Sequence, residues 1–276
     1  MTWQGSLDKM ETQAGETVQY TLPLGEQRLA MNPLLGQTLR LVHDGHIHCI
    51  ACGRATKKSY SQGHCYPCSQ RLASCDLCIM KPETCHYAAG TCREPEWGEA
   101  NCMQPHFVYL ANTSGLKVGI TRHTQVPTRW MDQGASQALP IFRVQSRYHS
   151  GLIEQIFKAH VADRTDWRKM LKGDGDVLDL HAERDRLLLE CQAELEGFRR
   201  QFGAEALQAL PEAELFELHY PVLQWPQKIT ALNLDKTPEV GGVLQGIKGQ
   251  YLLFDSGVIN IRKYSGYQLR VEMCAD

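Results

Sequence analysis

The sequence predicts an α+β protein in which β-rich N- and C-terminal segments flank a cysteine-rich module and a small central α/β domain. Three observations lead to this class. Short strand-like runs occur near both ends, nine of the eleven cysteines fall between Cys49 and Cys102, and helical periodicity is found in the centre and in the region that follows it. We place five segments at 1–44, 45–105, 106–172, 173–215 and 216–276.

The chain is long enough for two or three domains, with 276 residues of which 43% are apolar. It contains no run of about 20 apolar residues that could span a bilayer, and its first residues lack the pattern of a secretory signal. We therefore expect a cytoplasmic protein with no membrane partner. In that reducing compartment, clustered cysteines favour metal thiolates over disulfide bonds.

Charge is unevenly distributed along the chain, although the formal net charge is only −2. Residues 117–172 contain ten Lys and Arg against four Asp and Glu, whereas residues 182–217 contain four against nine. The basic segment indicates either a surface that binds a polyanion or a solvated basic face, and both interpretations stay open.

Both ends of the chain carry strand signals. Near the N-terminus, residues 17–22 and 38–42 alternate between apolar and polar side chains. Short candidate strands separated by glycines follow in the C-terminal segment, which is typical of a small barrel or curled sheet: 216–223, 243–247, 251–254, 258–262 and 268–272. Since chain termini often lie close together, these strands could pair with the N-terminal ones.

The clearest motif consists of two CxxC pairs in series. Each CxxC turn presents two sulfurs to one ion, and the loop between the pairs brings the second pair opposite the first, so this spacing predicts a tetrahedral zinc site. Because an all-thiolate site has no open position for water, this zinc would be structural; the alternative is a reversible dithiol pair. The four ligands would be Cys49, Cys52, Cys65 and Cys68.

A second set of candidate ligands follows and predicts a second structural zinc ion. It holds more candidates than one tetrahedral site has positions, so spacing alone does not assign the ligands. We favour Cys75, Cys78, Cys85 and Cys92. The competing candidates are Cys102, His86 and His106. The two isolated thiols further on, Cys191 and Cys274, are expected to pack as small apolar side chains.

A hairpin and two helices are predicted after the cysteines. The strands 106–111 and 116–121 are joined by a short polar loop suited to a tight turn. Apolar residues recur at helical spacing in 151–161, and Glu154 lies at the flank of that apolar stripe, where it can face a cleft. A long amphipathic helix is predicted at 182–202.

The hairpin and the first helix carry residues in the order of a nuclease motif. Phe107-Val-Tyr109 lies in the first strand, Lys117-Val-Gly119-Ile-Thr121 lies in the second, Arg129 follows ten residues past Gly119, and Glu154 lies on the helix. This arrangement, over about residues 106–170, resembles the GIY-YIG nucleases. More widely, the chain is similar to the bacterial family DUF2797, through Gly90-Thr-Cys-Arg-Glu-Pro-Glu-Trp-Gly98, the Val-Tyr-Leu-Ala run and Thr128-Arg-Trp-Met-Asp-Gln-Gly134.

The GIY-YIG resemblance implies metal-dependent hydrolysis of phosphodiesters in DNA or RNA. Glu154 would ligate one Mg²⁺ or Mn²⁺ ion, Arg129 would hold the phosphate, and Tyr109 would orient or deprotonate the attacking water. Lys117 replaces the second tyrosine of the family and would be either a base of lowered pKa or a phosphate contact. Further nucleic-acid contacts are expected from Gly119, Arg122, Arg147, Arg168 and Lys169.

Strand register decides whether this site can form. With a three-residue turn Tyr109 is opposite Lys117 and both project from one face, whereas a four-residue turn places Tyr109 opposite Val118. The chain also departs from the nuclease pattern. Gln133 stands where the family often has a histidine, and Asp166 is the nearest candidate for a later asparagine.

We therefore expect a metal-dependent nuclease on a zinc-stabilised scaffold. One alternative is a non-catalytic, zinc-dependent module that binds nucleic acid, and another is a protein-interaction adaptor, which the acidic helix from Ala182 would suit. The segment from Arg164 to Lys169 could stack on nucleic acid through Trp167, although that side chain could equally anchor a helix.

Overall fold

The computed structural model describes residues 1–162 and 164–274, and within them the predicted α+β class is confirmed. The strands are β1 (Thr2–Ser6), β2 (Glu11–Gln13), β3 (Gln19–Leu24), β4 (Gln27–Ala30), β5 (Thr38–Ile47), β6 (His106–Asn112), β7 (Leu116–Arg122), β8 (Gln137–Val144), β9 (Leu207–Ala209), β10 (Phe216–Glu217), β11 (Glu239–Lys248), β12 (Tyr251–Phe254), β13 (Gly257–Asn260) and β14 (Tyr267–Met273). The helices are α1 (Tyr66–Arg71), α2 (Pro95–Asn101), α3 (Thr128–Asp132), α4 (Arg147–Phe157), α5 (Trp167–Met170), α6 (Leu180–Glu190) and α7 (Gln192–Phe202).

The two ends of the chain meet in one antiparallel sheet of order β1-β14-β5-β11-β12-β13. Thr2 is paired with Glu272, so the pairing of terminal strands that the sequence left open is present. In β14 the side chains of Tyr267, Leu269 and Val271 are buried while Arg270 is exposed, because alternate residues of a strand face opposite sides of a sheet. The buried face packs on the small sheet β2-β3-β4.

A second antiparallel sheet, of order β10-β8-β6-β7 with β9 also paired to β8, occupies the centre of the chain. One face, with Val108 and Val118, packs on Ile153 and Phe157 of α4 and on α6 and α7. Tyr109 is on the opposite face and joins the core of the terminal sheet. The central sheet is therefore covered on both sides.

Neither predicted register of the hairpin is correct, because Tyr109 is paired with Gly119. Lys117 is paired with Ala111, one hydrogen-bonded pair closer to the turn. Directly opposed residues of an antiparallel pair project to the same face, and so do residues two apart on one strand. Tyr109 and Lys117 thus share a face, as the predicted site requires, although they are not directly opposed.

Two helices differ from their predicted bounds. The helix expected at 151–161 begins at Arg147, where the Ser146 side chain caps it by accepting from the His149 N–H, and it ends at Phe157. The helix expected at 182–202 is split into α6 and α7, because Cys191 has φ −99° and ψ 13°, outside the helical region. Cys191 is fully buried, as expected. Among the described residues, no helix is both long and apolar enough to cross a membrane.

Candidate functional site

The first four cysteines form one compact cluster. Their sulfur atoms all lie within 4.8 Å of one another. Cys49 follows β5, and the other pair is presented by α1, where Cys65 is the residue before the helix and Cys68 lies in its first turn. Since four thiols at this separation match the donor set of a tetrahedral site, the cluster could bind a metal ion such as zinc.

The thiols of this cluster differ in acidity. Although burial opposes ionisation of Cys49, hydrogen bonds from the backbone N–H groups of Cys65, Ala51 and Cys52 lower its pKa to about 6. Burial and the neighbouring thiols raise the pKa of Cys68 to about 12. Backbone N–H groups therefore already stabilise negative charge at this site, which is what a cluster that holds a cation needs.

The second set of cysteines is arranged differently from the prediction. Cys75 lines a large groove but not the small cavity beside it, which the remaining thiols of the set line, and Cys102 lines both spaces. His106 is fully buried and its Nδ1 lies 2.7 Å from the carbonyl oxygen of Gln104. The thiols lining the small cavity are those of Cys78, Cys85, Cys92 and Cys102.

Tyr109, Lys117 and Gln133 form a buried polar cluster on one face of the central sheet. The Tyr109 hydroxyl donates to Oε1 of Gln133 over 3.0 Å, and the Lys117 ammonium donates to the same oxygen over 3.2 Å. Lys117 also lies 3.4 Å from Oγ1 of Thr165. Tyr109 is 0% and Lys117 only 5% exposed. Tyr109 and Lys117 therefore lie close together, but both side chains are almost completely shielded from solvent.

The charges of Arg129 and Glu154 both influence the pKa of the Tyr109 hydroxyl. Burial raises the pKa of Tyr109, the nearby Arg129 guanidinium opposes that rise, and the negative charge of Glu154 adds to it. Glu154 is itself in an ion pair, with its Oε2 3.7 Å from Nζ of Lys158. Arg129 and Glu154 therefore lie near enough to the Tyr109 hydroxyl to influence its ionisation, and Lys117 shares a hydrogen-bond acceptor with it.

Gly119 is the residue against which the Tyr109 ring lies. A Cβ atom at this position would stand 2.7 Å from both Cζ and the hydroxyl oxygen of Tyr109. Such a contact is too short, so only glycine leaves room for the ring. The Tyr109 ring therefore packs directly against the backbone of β7.

A groove of about 700 Å³ lies beside the buried cluster. One wall is the cysteine-rich segment, and the others come from β7, α3, α4 and the residues just before β14. We call it the arginine groove because its basic lining residues are Lys9, Arg122, Arg129, Arg147 and Arg262. Arg129 links the arginine groove to the Tyr109 cluster. It lines the groove, and its guanidinium influences the ionisation of the Tyr109 hydroxyl.

Most acidic side chains of the arginine groove are already paired. Asp132 lies 2.7 Å from the Lys9 ammonium, and Asp76 lies 2.6 Å from Arg93. The positive charges of the arginines, by contrast, repel one another. Burial lowers the pKa of Arg147 and of Arg262, and the positive charge of Arg129 lowers both further. The groove thus concentrates positive charge in a partly buried place.

Arg168 and Lys169 do not line the arginine groove, and the nucleic-acid contacts expected of them stay a prediction. The Arg168 guanidinium lies over the Trp167 ring at 4.3 Å, and that ring stacks on Tyr251 at 5.7 Å. Trp167 therefore anchors α5 by packing. Asp166 caps the same helix by accepting from the N–H groups of Arg168 and Lys169.

Sequence reasoning missed three members of the site. Lys9 and Arg262 come from the two ends of the chain, and no local pattern marks either as a groove residue. Gln133 was noted only as a departure from the nuclease pattern, yet it is the shared acceptor for Tyr109 and Lys117. Its position four residues after Arg129, one helical turn away, was the available signal.

The side chains near Glu154 fit Mg²⁺ or Mn²⁺ poorly. Within the described residues, Glu154 belongs to no group of three or more His, Cys, Asp or Glu ligand atoms within 4.8 Å. Its carboxylate is paired with an ammonium group, and four arginines line the neighbouring groove. Hard divalent cations prefer several oxygen ligands, and the described residues bring no such set of ligands to Glu154.

Comparison with known proteins identifies the family. Residues 36–269 match the family described as Protein of unknown function (DUF2797). The chain belongs to the DUF2797 family. Comparison of this DUF2797 protein with curated proteins and with solved structures gives no match. The resemblance of its central segment to the GIY-YIG nucleases is supported by none of these comparisons and stays a prediction.

Proposed function

We propose that this DUF2797 protein binds the phosphodiester backbone of nucleic acid in the arginine groove, on a scaffold stabilised by zinc. One observation carries the proposal: segments far apart in the sequence bring four arginines and a lysine to one groove. Lys9 precedes β2, Arg147 begins α4 and Arg262 lies near the C-terminus. Asp132 already pairs with Lys9, so the four arginines leave an excess of positive charge that a bound anion would compensate.

Phosphate suits this lining better than a carboxylate ligand would. A guanidinium group presents a planar fork of N–H donors that matches phosphate oxygens, and several such forks can hold successive phosphates. Burial and the positive charge of Arg129 lower the pKa values of Arg147 and Arg262, and a bound polyanion would offset both effects. Release of counterions from the nucleic acid would add to the binding free energy.

The basic surface extends beyond the arginine groove, which favours a polymer over a single nucleotide. A neighbouring cavity of about 720 Å³ is lined by Lys57, Lys58 and Lys263. Gln62 and Arg262 line both spaces, and Nε of Arg262 donates to Oε1 of Gln62 over 2.8 Å. A strand of nucleic acid could therefore run from one to the other past Arg262.

A metal ion at the first cysteine cluster would stabilise the loop that carries part of this basic surface. The loop between its two CxxC pairs carries Lys57, Lys58 and Gln62, all of which line the basic cavities. That loop contains little buried apolar surface besides the cysteines themselves, so a metal ion at the cluster would fix its path. Zinc would thus be required for binding without touching the ligand.

Phosphodiester cleavage is the second candidate function. It is favoured by the nearness of Arg129 and Glu154 to the Tyr109 hydroxyl, with which Lys117 shares a hydrogen-bond acceptor. Cleavage would require substrate binding to expose Tyr109 and to open the pair of Glu154 with Lys158, since both are closed in this structure. The poor fit for a divalent cation places this function second.

The test uses fluorescence anisotropy with labelled single- and double-stranded oligonucleotides and the full-length protein. The substitutions Arg129→Ala and Arg262→Ala should each weaken binding about five- to tenfold, whereas Arg168→Ala, which removes an arginine outside the groove, should leave it unchanged. Equal losses in all three variants would indicate a non-specific charge effect and contradict the proposal, as would absence of binding by the wild type.

Cleavage is measured on the same substrates with and without Mg²⁺ and Mn²⁺. The binding proposal predicts intact oligonucleotide under all conditions. Metal-dependent cutting that is lost in Glu154→Gln but kept in Glu190→Gln would establish the second function instead. Glu190 is a suitable control because it lies on α6 and pairs with Arg186, away from the groove.

A further inference from the structure

We propose that Cys78, Cys85, Cys92 and Cys102 form a second metal site that takes zinc and fixes the wall of the arginine groove that carries Arg147. This site is separate from the cluster of Cys49, Cys52, Cys65 and Cys68. It replaces Cys75 of the ligand set favoured from the sequence by Cys102.

The four thiols line one cavity of about 20 Å³. A space of this size holds one ion or one water molecule and no organic ligand. All four cysteines are free of disulfide bonds. The cavity therefore offers four soft donors to one ion.

The surrounding chain has little else to hold it in place. Cys78 lies in the short 3₁₀-helix Leu77–Ile79, Cys85 follows a second one at Pro82–Thr84, and Cys102 caps the end of α2. Leu77 is 61% and Met80 81% exposed, so the large apolar side chains here do not make a core. Segments of this kind are usually ordered by a metal ion.

Asp76 and His86 compete for the ion, since their ligand atoms and that of Cys78 lie within 4.8 Å of one another. Both side chains are better placed to form hydrogen bonds around the site, as outer partners that do not ligate the ion. One oxygen of Asp76 accepts from the Cys78 N–H, and the other lies 2.6 Å from Arg93. His86 has Nδ1 2.9 Å from Oγ1 of Thr91 and Nε2 3.5 Å from Asp76. Such contacts orient the groups around a site without ligating the ion.

Cys75 is left out of the ligand set because it does not line this cavity, whereas Cys102 lines both the cavity and the arginine groove. The four proposed sulfurs do not all lie within 4.8 Å of one another, in contrast to the first cluster. We therefore expect the ion to draw Cys78, Cys85, Cys92 and Cys102 inward and to close the cavity around it.

The proposed site is linked to the groove through Arg147. The Arg147 N–H donates to the carbonyl oxygen of Cys102 over 2.8 Å, and its guanidinium donates to the carbonyl oxygen of Ile79. Cys102 is a proposed ligand, and Ile79 follows the ligand Cys78. An ion that fixes these two ligands also fixes both anchors of Arg147.

The experiment is zinc stoichiometry by elemental analysis of the purified full-length protein. The wild type should hold two zinc ions per chain, Cys102→Ser one, and Cys49→Ser one. The matched control Cys75→Ser and the outer-partner variant His86→Ala should each keep two. One zinc in the wild type, two in Cys102→Ser, or one in Cys75→Ser or His86→Ala would each overturn the proposed ligand set.

Limited proteolysis covers the case in which a serine variant folds poorly. Arg93 is a trypsin site inside the proposed module, whereas the bond after Lys81 precedes Pro82 and resists trypsin. In the wild type, a chelator should accelerate cleavage after Arg93, and added zinc should restore protection. Cys102→Ser should be cleaved there as fast as the chelated wild type, while Cys75→Ser should be protected by zinc. Cleavage that is insensitive to zinc in the wild type would contradict the proposal.

Discussion

The hydroxyl of Tyr109, a fully buried residue, donates a hydrogen bond of 3.0 Å to Oε1 of the partly buried Gln133. The Lys117 ammonium uses the same acceptor. A glutamine oxygen with two lone pairs can accept both bonds, so the side chain at the C-cap of α3 links one side chain from β6 with one from β7. This relationship makes Gln133 a structural requirement of the site.

Replacement of Gln133 by alanine should therefore lower the free energy of unfolding. The loss should be about 1–3 kcal/mol, because a buried donor loses its acceptor. Urea denaturation followed by circular dichroism measures it. Gln155→Ala, an exposed position on α4, is the control and should change stability by less than about 0.5 kcal/mol. Equal effects of the two substitutions would contradict the role given to Gln133.

Alanine at Gly119 should destabilise the protein and displace the Tyr109 ring. The added Cβ would stand 2.7 Å from that ring, and overpacking of this kind costs about 1–3 kcal/mol. Gly173→Ala is the control, since its Cβ would meet nothing closer than 4.0 Å. Thermal unfolding of both variants and tyrosine fluorescence provide the measurements. A stable Gly119→Ala variant with unchanged fluorescence would show that the ring lies elsewhere.

Parts of the fold follow from the sequence because their signals are local. The hairpin strands were predicted to within one residue at each end, since alternation and a polar turn mark them. Strand β8 was missed although it is central. It reads as a nearly continuous buried run and contains Pro140, which is tolerated because the register with β6 shifts beside it, at a bulge.

Parts of the site follow from spacing and others do not. The CxxC spacing predicted the first cysteine cluster because ligand geometry fixes sequence separation within a turn. The second set could not be assigned this way, since its thiols come from separate short turns whose paths depend on packing. Arg262 reaches the groove only through the pairing of the two chain ends, which no local pattern contains.

Removal of zinc from the first cluster should unfold its module. Binding free energy at a structural zinc site contributes directly to folding, so Cys65→Ser should lose one zinc ion and the cooperative transition of this region. Cys274→Ser, a thiol outside both clusters, should behave as the wild type. Elemental analysis combined with differential scanning calorimetry measures both quantities. Retention of full zinc content by Cys65→Ser would contradict the assignment.

His106 should make stability fall at mildly acidic pH. Burial lowers its pKa to about 4, whereas an unfolded histidine titrates near pH 6.5. Between these values the unfolded chain binds a proton that the folded chain does not, so the contribution of His106 is complete above pH 6.5 and declines as pH falls towards 4. From pH 7.5 to 5 the loss should be about 2 kcal/mol.

The check is urea unfolding at both pH values for the wild type and for His106→Gln, which cannot titrate. The variant should lose about 2 kcal/mol less than the wild type over this interval, whatever the carboxylates contribute, because they are common to both proteins. An identical pH dependence of the two proteins would show that His106 titrates normally in the folded state.

The most direct test of the arginine groove is the salt dependence of oligonucleotide affinity. Each arginine that neutralises a phosphate contributes about 0.7–0.9 to the slope of log affinity against log salt concentration. Arg129→Ala should reduce the wild-type slope by about that amount, and Arg168→Ala should leave it unchanged. A wild-type slope near zero, or the same slope in both variants, would contradict binding of the phosphodiester backbone in the groove.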